Sequence, residues 1–160
     1  MRARATLFGH PIHVMLVAFP LGLFAASVVF DLIWLLGGSP RWTEIASTLI
    51  GTGILGALLA APFGLIDWLS IPEQTRAKQI GAVHGGGNLV VVVLMLGSWL
   101  LRRDAPTTPE AVAVILSFAA VALTVLTGWL GAELVNRHGM GVHEEAHLDA
   151  PSTGTAPGRP

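Results

Sequence analysis

Four apolar runs limit what this chain can become: about residues 12–36, 45–69, 80–101 and 111–135. Each is near the roughly 20 residues that cross about 30 Å of hydrocarbon as a helix. Lipid offers the backbone no water, so only helices and closed barrels can span it. The runs lack the period-2 alternation of barrel strands. Short links carrying turn chemistry separate them: Gly37-Gly38-Ser39-Pro40-Arg41, Ile71-Pro72-Glu73 to Gln79, and Arg102-Arg103-Asp104-Ala105-Pro106. Short links make consecutive helices antiparallel neighbours. The expected fold is all-α, an integral membrane four-helix up-down bundle over residues 1–138. Residues 139–160 turn small and polar, with too little apolar surface to offset the entropy of ordering them. They are expected to form a disordered C-terminal tail.

Composition agrees. The chain is 52% hydrophobic and only 12% charged, where soluble domains carry about 25% charge. A net charge of −1 and the lack of a basic stripe exclude a nucleic-acid partner. The absence of cysteine excludes disulfides and thiolate metal ligands. Arg2 and Arg4 precede the first run as they would in a signal peptide. That run is long enough to span, however, and no small-residue cleavage site follows it, so it reads as a retained helix. Arg2, Arg4, Arg76, Lys78 and Arg137 fall on one side of the membrane, and Arg41, Arg102 and Arg103 on the other. The excess places both termini in the cytoplasm, with the bundle in the plasma membrane. Trp34, Trp42 and Trp99 fall near one interface, Trp68 and Trp129 near the other.

The polar residues follow a pattern. Phe8-Gly9-His10-Pro11-Ile12-His13 opens the first run. Pro11 suits a first helical turn, which would put His10 and His13 on one helix face. Asp67 closes the second run. His84 and Asn88 open the third, one turn apart. Glu133, Arg137 and His138 close the fourth. In an up-down bundle these positions share one membrane face. Any one of them is an ordinary interfacial residue. Together they predict a polar cluster built from all four helices, since ionisable groups within spans face the bundle interior. Glu133 and Arg137, four apart, also suit a simple ion pair.

The string Phe8 to His13 with Phe19-Pro20-Leu21-Gly22 resembles the opening of the DUF2231 family of small predicted membrane proteins. Gly64-Leu65-Ile66-Asp67-Trp68-Leu69 is similar too. So are His84 with Asn88-Leu89, and Gly128-Trp129-Leu130-Gly131 through Glu133-Leu134 to Arg137-His138-Gly139. The resemblance covers about residues 7–142. It implies kinship with four-helix b-type cytochromes, and a role in electron transfer beside a Rieske-type or other soluble redox partner and a membrane quinone. With no cysteine, this chain has no Rieske ligands of its own.

The chemistry of the cluster has three readings. Haem iron accepts axial imidazoles, and bundle cores hold cofactors between facing helices. His13 and His84, on diagonal helices, form the first choice of axial pair for a b-type haem, with His10 and His138 as second candidates and Asn88 beside them. Gly85-Gly86-Gly87 leave room for a flat group or for close helix packing. Arg137, Arg76 or Lys78 would neutralise propionates. The second reading is a transition-metal ion (zinc, iron or manganese) held by His10, His13, His84, His138, Asp67 and Glu133. The third is a structural or pH-sensing subunit without cofactor. No substrate pocket is legible, so the chain reads as a redox carrier or subunit more than as a stand-alone enzyme. Glycine-rich faces would allow a homodimer.

Two motifs carry less. His143-Glu144-Glu145-Ala146-His147 matches the zinc-protease pattern, but it lies in the expected tail and lacks a shielded third ligand. Gly51-Thr52-Gly53-Ile54-Leu55-Gly56 has dinucleotide spacing inside a spanning run, where small residues serve helix packing.

Overall fold

The computed structural model describes residues 2–150. It is a four-helix bundle. The helices are α1 (Ile12–Leu35), α2 (Arg41–Leu69), α3 (Arg76–Arg102) and α4 (Ala111–Asn136). All four are long and apolar enough to cross a membrane. Two helices start earlier than their apolar runs. The first turn of α2 is Arg41-Trp42-Thr43-Glu44, and α3 starts where the Thr75 hydroxyl accepts the Lys78 amide at 3.1 Å. Hydrophobicity marks the part of a helix that lipid covers. Capping marks where the helix begins.

The packing is that of two hairpins. α1 lies chiefly on α2 and α3 on α4, while α2 meets α3, and α1 meets α4, more sparsely. Phe24, Ile50, Ile54, Val91, Met95 and Ala120 form the buried core. The outer surface is apolar, with Phe19, Leu55, Leu59, Leu89, Ile115 and Val125 all exposed. In water such a surface would be an aggregation hazard. In a bilayer it is the lipid face.

A two-strand hairpin precedes α1. Strand β1 (Thr6–Leu7) pairs antiparallel with β2 (His10–Pro11) around Phe8 and Gly9, both at positive φ. Pro11 is the residue before α1, not within its first turn. This corrects the expectation for His10. It stands in β2, where its Nδ1 donates to the Phe8 carbonyl at 3.1 Å, and it does not share a helix face with His13.

After α4, residues 139–150 run through turns. Gly141 packs near Pro11, and His143 Nε2 donates to the Gly9 carbonyl at 3.3 Å. The His143–His147 motif is therefore not on a helix. Residues 151–160, the rest of the expected tail, lie outside the described residues.

Candidate functional site

Each of the two hairpins carries a histidine held in the same way. His13 Nδ1, on α1, donates to the Ala60 carbonyl of α2 at 3.1 Å. His84 Nδ1, on α3, donates to the Thr127 carbonyl of α4 at 2.8 Å. A carbonyl can only accept, so Nδ1 carries a proton in both rings, and in the neutral ring Nε2 then holds the lone pair. Each ring rests on a glycine four residues past its carbonyl partner. A Cβ at Gly64 would come within 2.8 Å of His13 Cε1, and one at Gly131 within 3.0 Å of His84 Cε1. Both imidazoles are half-buried.

Their surroundings differ. Asn88 stands one turn after His84, and its Nδ2 lies 3.2 Å from His84 Nε2. Thr127 Oγ1 donates to Asn88 Oδ1 at 3.0 Å, which fixes the amide. Gly87 lets α3 approach α4 here, since a Cβ would meet Thr127 Cγ2 at 2.6 Å. Gly85 and Gly86 face open space.

The other members of the expected cluster are engaged elsewhere. Asp67 Oδ1 accepts the backbone amides of Arg4 and Ala5 at 2.8 and 3.0 Å, tying the N-terminal segment to the end of α2. Glu133 pairs with Arg137 at 3.3 Å, the simple ion pair that their spacing allows. His138 is half-buried just past α4. Lys78 gives its ammonium to the Trp68 and Ile71 carbonyls and to Glu73, over the face of Trp68. Among the described residues no three histidines or carboxylates gather into a group able to hold a metal ion. The expected centre of His10, His13, His84, His138, Asp67 and Glu133 therefore does not assemble. Its carboxylates are drawn off by backbone amides and by arginine.

A second polar site has no motif to mark it in the sequence. At the far end of the bundle Arg102 and Asp31 form a bidentate pair, with both bonds at 2.7 Å. Arg102 Nε donates to Ser98 Oγ at 3.2 Å, and Ser117 Oγ donates to Asp31 Oδ2 at 3.1 Å. None of these four side chains is exposed. Spacing could have revealed the pair. Eighteen residues separate His13 from Asp31, and eighteen separate His84 from Arg102.

Residues 9–144 match the family model DUF2231, described as a predicted membrane protein. The chain belongs to the DUF2231 family. The match runs from the Gly9 turn through all four helices to Glu144, so both histidine seats and the buried ion pair lie within the DUF2231 region. No curated protein and no solved structure matches the chain.

Proposed function

We propose that the protein is a membrane-embedded b-type haem-binding electron-transfer module, in which His13 and His84, one imidazole from each helical hairpin, would hold the haem iron. The observation that supports this is the shared tautomer. Both Nδ1–H groups are committed to a main-chain carbonyl, which orients each ring and leaves Nε2 as the ligating nitrogen. A pair of neutral imidazoles without nearby free carboxylates is a donor set suited to haem iron. It suits a hard cation poorly, since such ions need oxygen ligands. Ligation at His84 Nε2 would require the Asn88 amide, held beside it by the Thr127 hydroxyl, to give way.

Bound haem would supply a one-electron couple at this end of the bundle. The protein's own part is to hold two rings, exclude lipid and offset charge. Arg76, at the same end, would carry charge that propionates need, and Arg137 would do so on leaving Glu133. On the lysine and arginine bias this end faces the cytoplasm of the plasma membrane. A soluble redox partner would meet it there, and a quinone would approach through the bilayer.

The test is the visible spectrum of the protein purified from cells supplied with haem precursor. A Soret band that shifts on reduction, and is lost in both His13→Ala and His84→Ala, is the expected result. A colourless protein overturns the proposal. So does a band that survives both substitutions.

A further inference from the structure

The two hairpins match each other at most of their buried positions. An offset of 71 carries the buried residues of α1 (Pro20, Phe24, Ser27 and Asp31) onto Val91, Met95, Ser98 and Arg102, all buried in α3. The same offset carries His13 onto His84. An offset of 67 carries Ala46, Ser47, Ile50, Gly53 and Ala60 of α2 onto Ala113, Val114, Ser117, Ala120 and Thr127, all buried in α4. It also carries Gly64 onto Gly131, so each histidine's carbonyl partner and glycine seat correspond as well. The offsets differ by four, one helical turn. That turn is the extra length of α1 beyond Asp31, since α3 stops at Arg102.

In an up-down bundle α1 and α3 run in the same direction. Equivalent hairpins are then related by rotation about an axis along the membrane normal, the parallel-repeat arrangement. Residues at equivalent positions touch each other only beside such an axis. Asp31 and Arg102 do so.

We infer that the chain is two copies of one helical hairpin, residues 12–69 and 76–136, paired across an approximate two-fold axis, and that Asp31 and Arg102 make each copy's inner face fit the other copy and reject its own like. Pairing two first hairpins would set carboxylate against carboxylate in the dry interior, and two second hairpins guanidinium against guanidinium. Such juxtaposed like charges discriminate strongly between partners. The partner this surface fits is therefore the complementary hairpin, from the same chain or exchanged with a second copy of it. The inference rests on the helices and the ion pair, and stands whether or not the histidines take iron.

A charge exchange in the full chain tests it. Asp31→Arg alone and Arg102→Asp alone each bury like charges. Each is expected to lower the melting temperature in detergent by about 10 °C or more, or to stop the protein accumulating. The double variant Asp31→Arg/Arg102→Asp restores opposite charges at equivalent positions, and is expected to recover at least half of that loss. Recovery stays incomplete because Ser27 matches Ser98 but Ile50 stands where Ser117 does. Adding Ile50→Ser to the exchange is expected to raise it further. An exchange variant no better than the worse single one overturns the inference, as does failure of all three to accumulate. Single variants as stable as the parent overturn it too.

Discussion

Arg102 gives both terminal nitrogens to the two oxygens of Asp31, and neither side chain exposes any surface. Taking two charges out of water is costly, and this pair offsets the cost with near-complete hydrogen bonding through Ser98 and Ser117. Arg102→Met would leave a carboxylate without its partner in an apolar interior. The expected loss is about 3–5 kcal/mol. Asp31→Leu combined with Arg102→Met leaves no charge to strand, and should be clearly more stable than Arg102→Met alone. Thermal unfolding in detergent, followed by helical circular dichroism, checks both variants.

Lys78 performs a related task at the other end. Helix α2 finishes in a tight turn, where the Trp68 carbonyl accepts the Ile71 amide at 3.1 Å and still has a lone pair to share. The Lys78 ammonium meets the carbonyls of Trp68 and Ile71 at 3.2 and 3.3 Å. Trp68 Nε1 in return donates to the Lys78 carbonyl at 3.1 Å. Lys78→Met keeps the apolar stem and removes the donor, so the expected cost is about 2 kcal/mol. Glu73→Gln should cost far less, because Glu73 is exposed and its ion pair is screened. Denaturant midpoints of the two variants should separate accordingly.

The spans were legible because lipid imposes one rule along their whole length, and the four runs obey it. Which polar residues meet was legible only in part. The sequence places His13, His84 and Asn88 at one end, and there they are. It also groups Asp67 and Glu133 with them, since helix order fixes which end a residue occupies but not which way it faces. Asp67 turns to the backbone of residues 4 and 5, and Glu133 to its own helix. His10 was misplaced for a local reason. Pro11 fits the residue before a helix as well as the first turn, and the positive φ of Phe8 and Gly9 folds His10 back into a strand. The ion pair is not legible in the sequence because an aspartate or an arginine near an interface is ordinary. Only their common distance from a histidine marks them.

Asp67 predicts an effect confined to the N-terminus. Its Oδ1 receives two backbone amides and orders residues 4 and 5 beneath the strand hairpin. Asp67→Ala should speed amide exchange at Arg4, Ala5 and the 6–11 hairpin by about tenfold or more, in line with the loss of hydrogen bonds to a charged acceptor. Exchange within α2 and α3 should not change. Asp67→Asn keeps an acceptor oxygen and should lie between the parent and the alanine variant. Peptide-resolved hydrogen exchange in detergent decides the matter.

Glycine substitutions should rank by what a new methyl group meets. At Gly53 it would stand 2.6 Å from the ring of Phe24, with Leu23 behind at 3.4 Å. Phe24 is core and cannot retreat, so Gly53→Ala should cost about 1–3 kcal/mol through overpacking. At Gly64 the methyl meets His13 at Cε1 and Nδ1, at 2.8 and 2.9 Å. The ring must swing off the Ala60 carbonyl, which loses a hydrogen bond of about 1 kcal/mol. At Gly131 the nearest His84 atom is 3.0 Å away, and a smaller displacement suffices. Gly85 has nothing within 4 Å and lies within α3, so alanine there should cost nothing and stabilise by about 0.5–1 kcal/mol. The order Gly53, Gly64, Gly131, Gly85 is read from melting temperatures. A second measurement isolates the histidine effect. His13 should become more reactive towards diethyl pyrocarbonate in Gly64→Ala than in the parent, and should stay unchanged in Gly85→Ala. Equal reactivity in all three would mean that the glycine does not hold the ring in place.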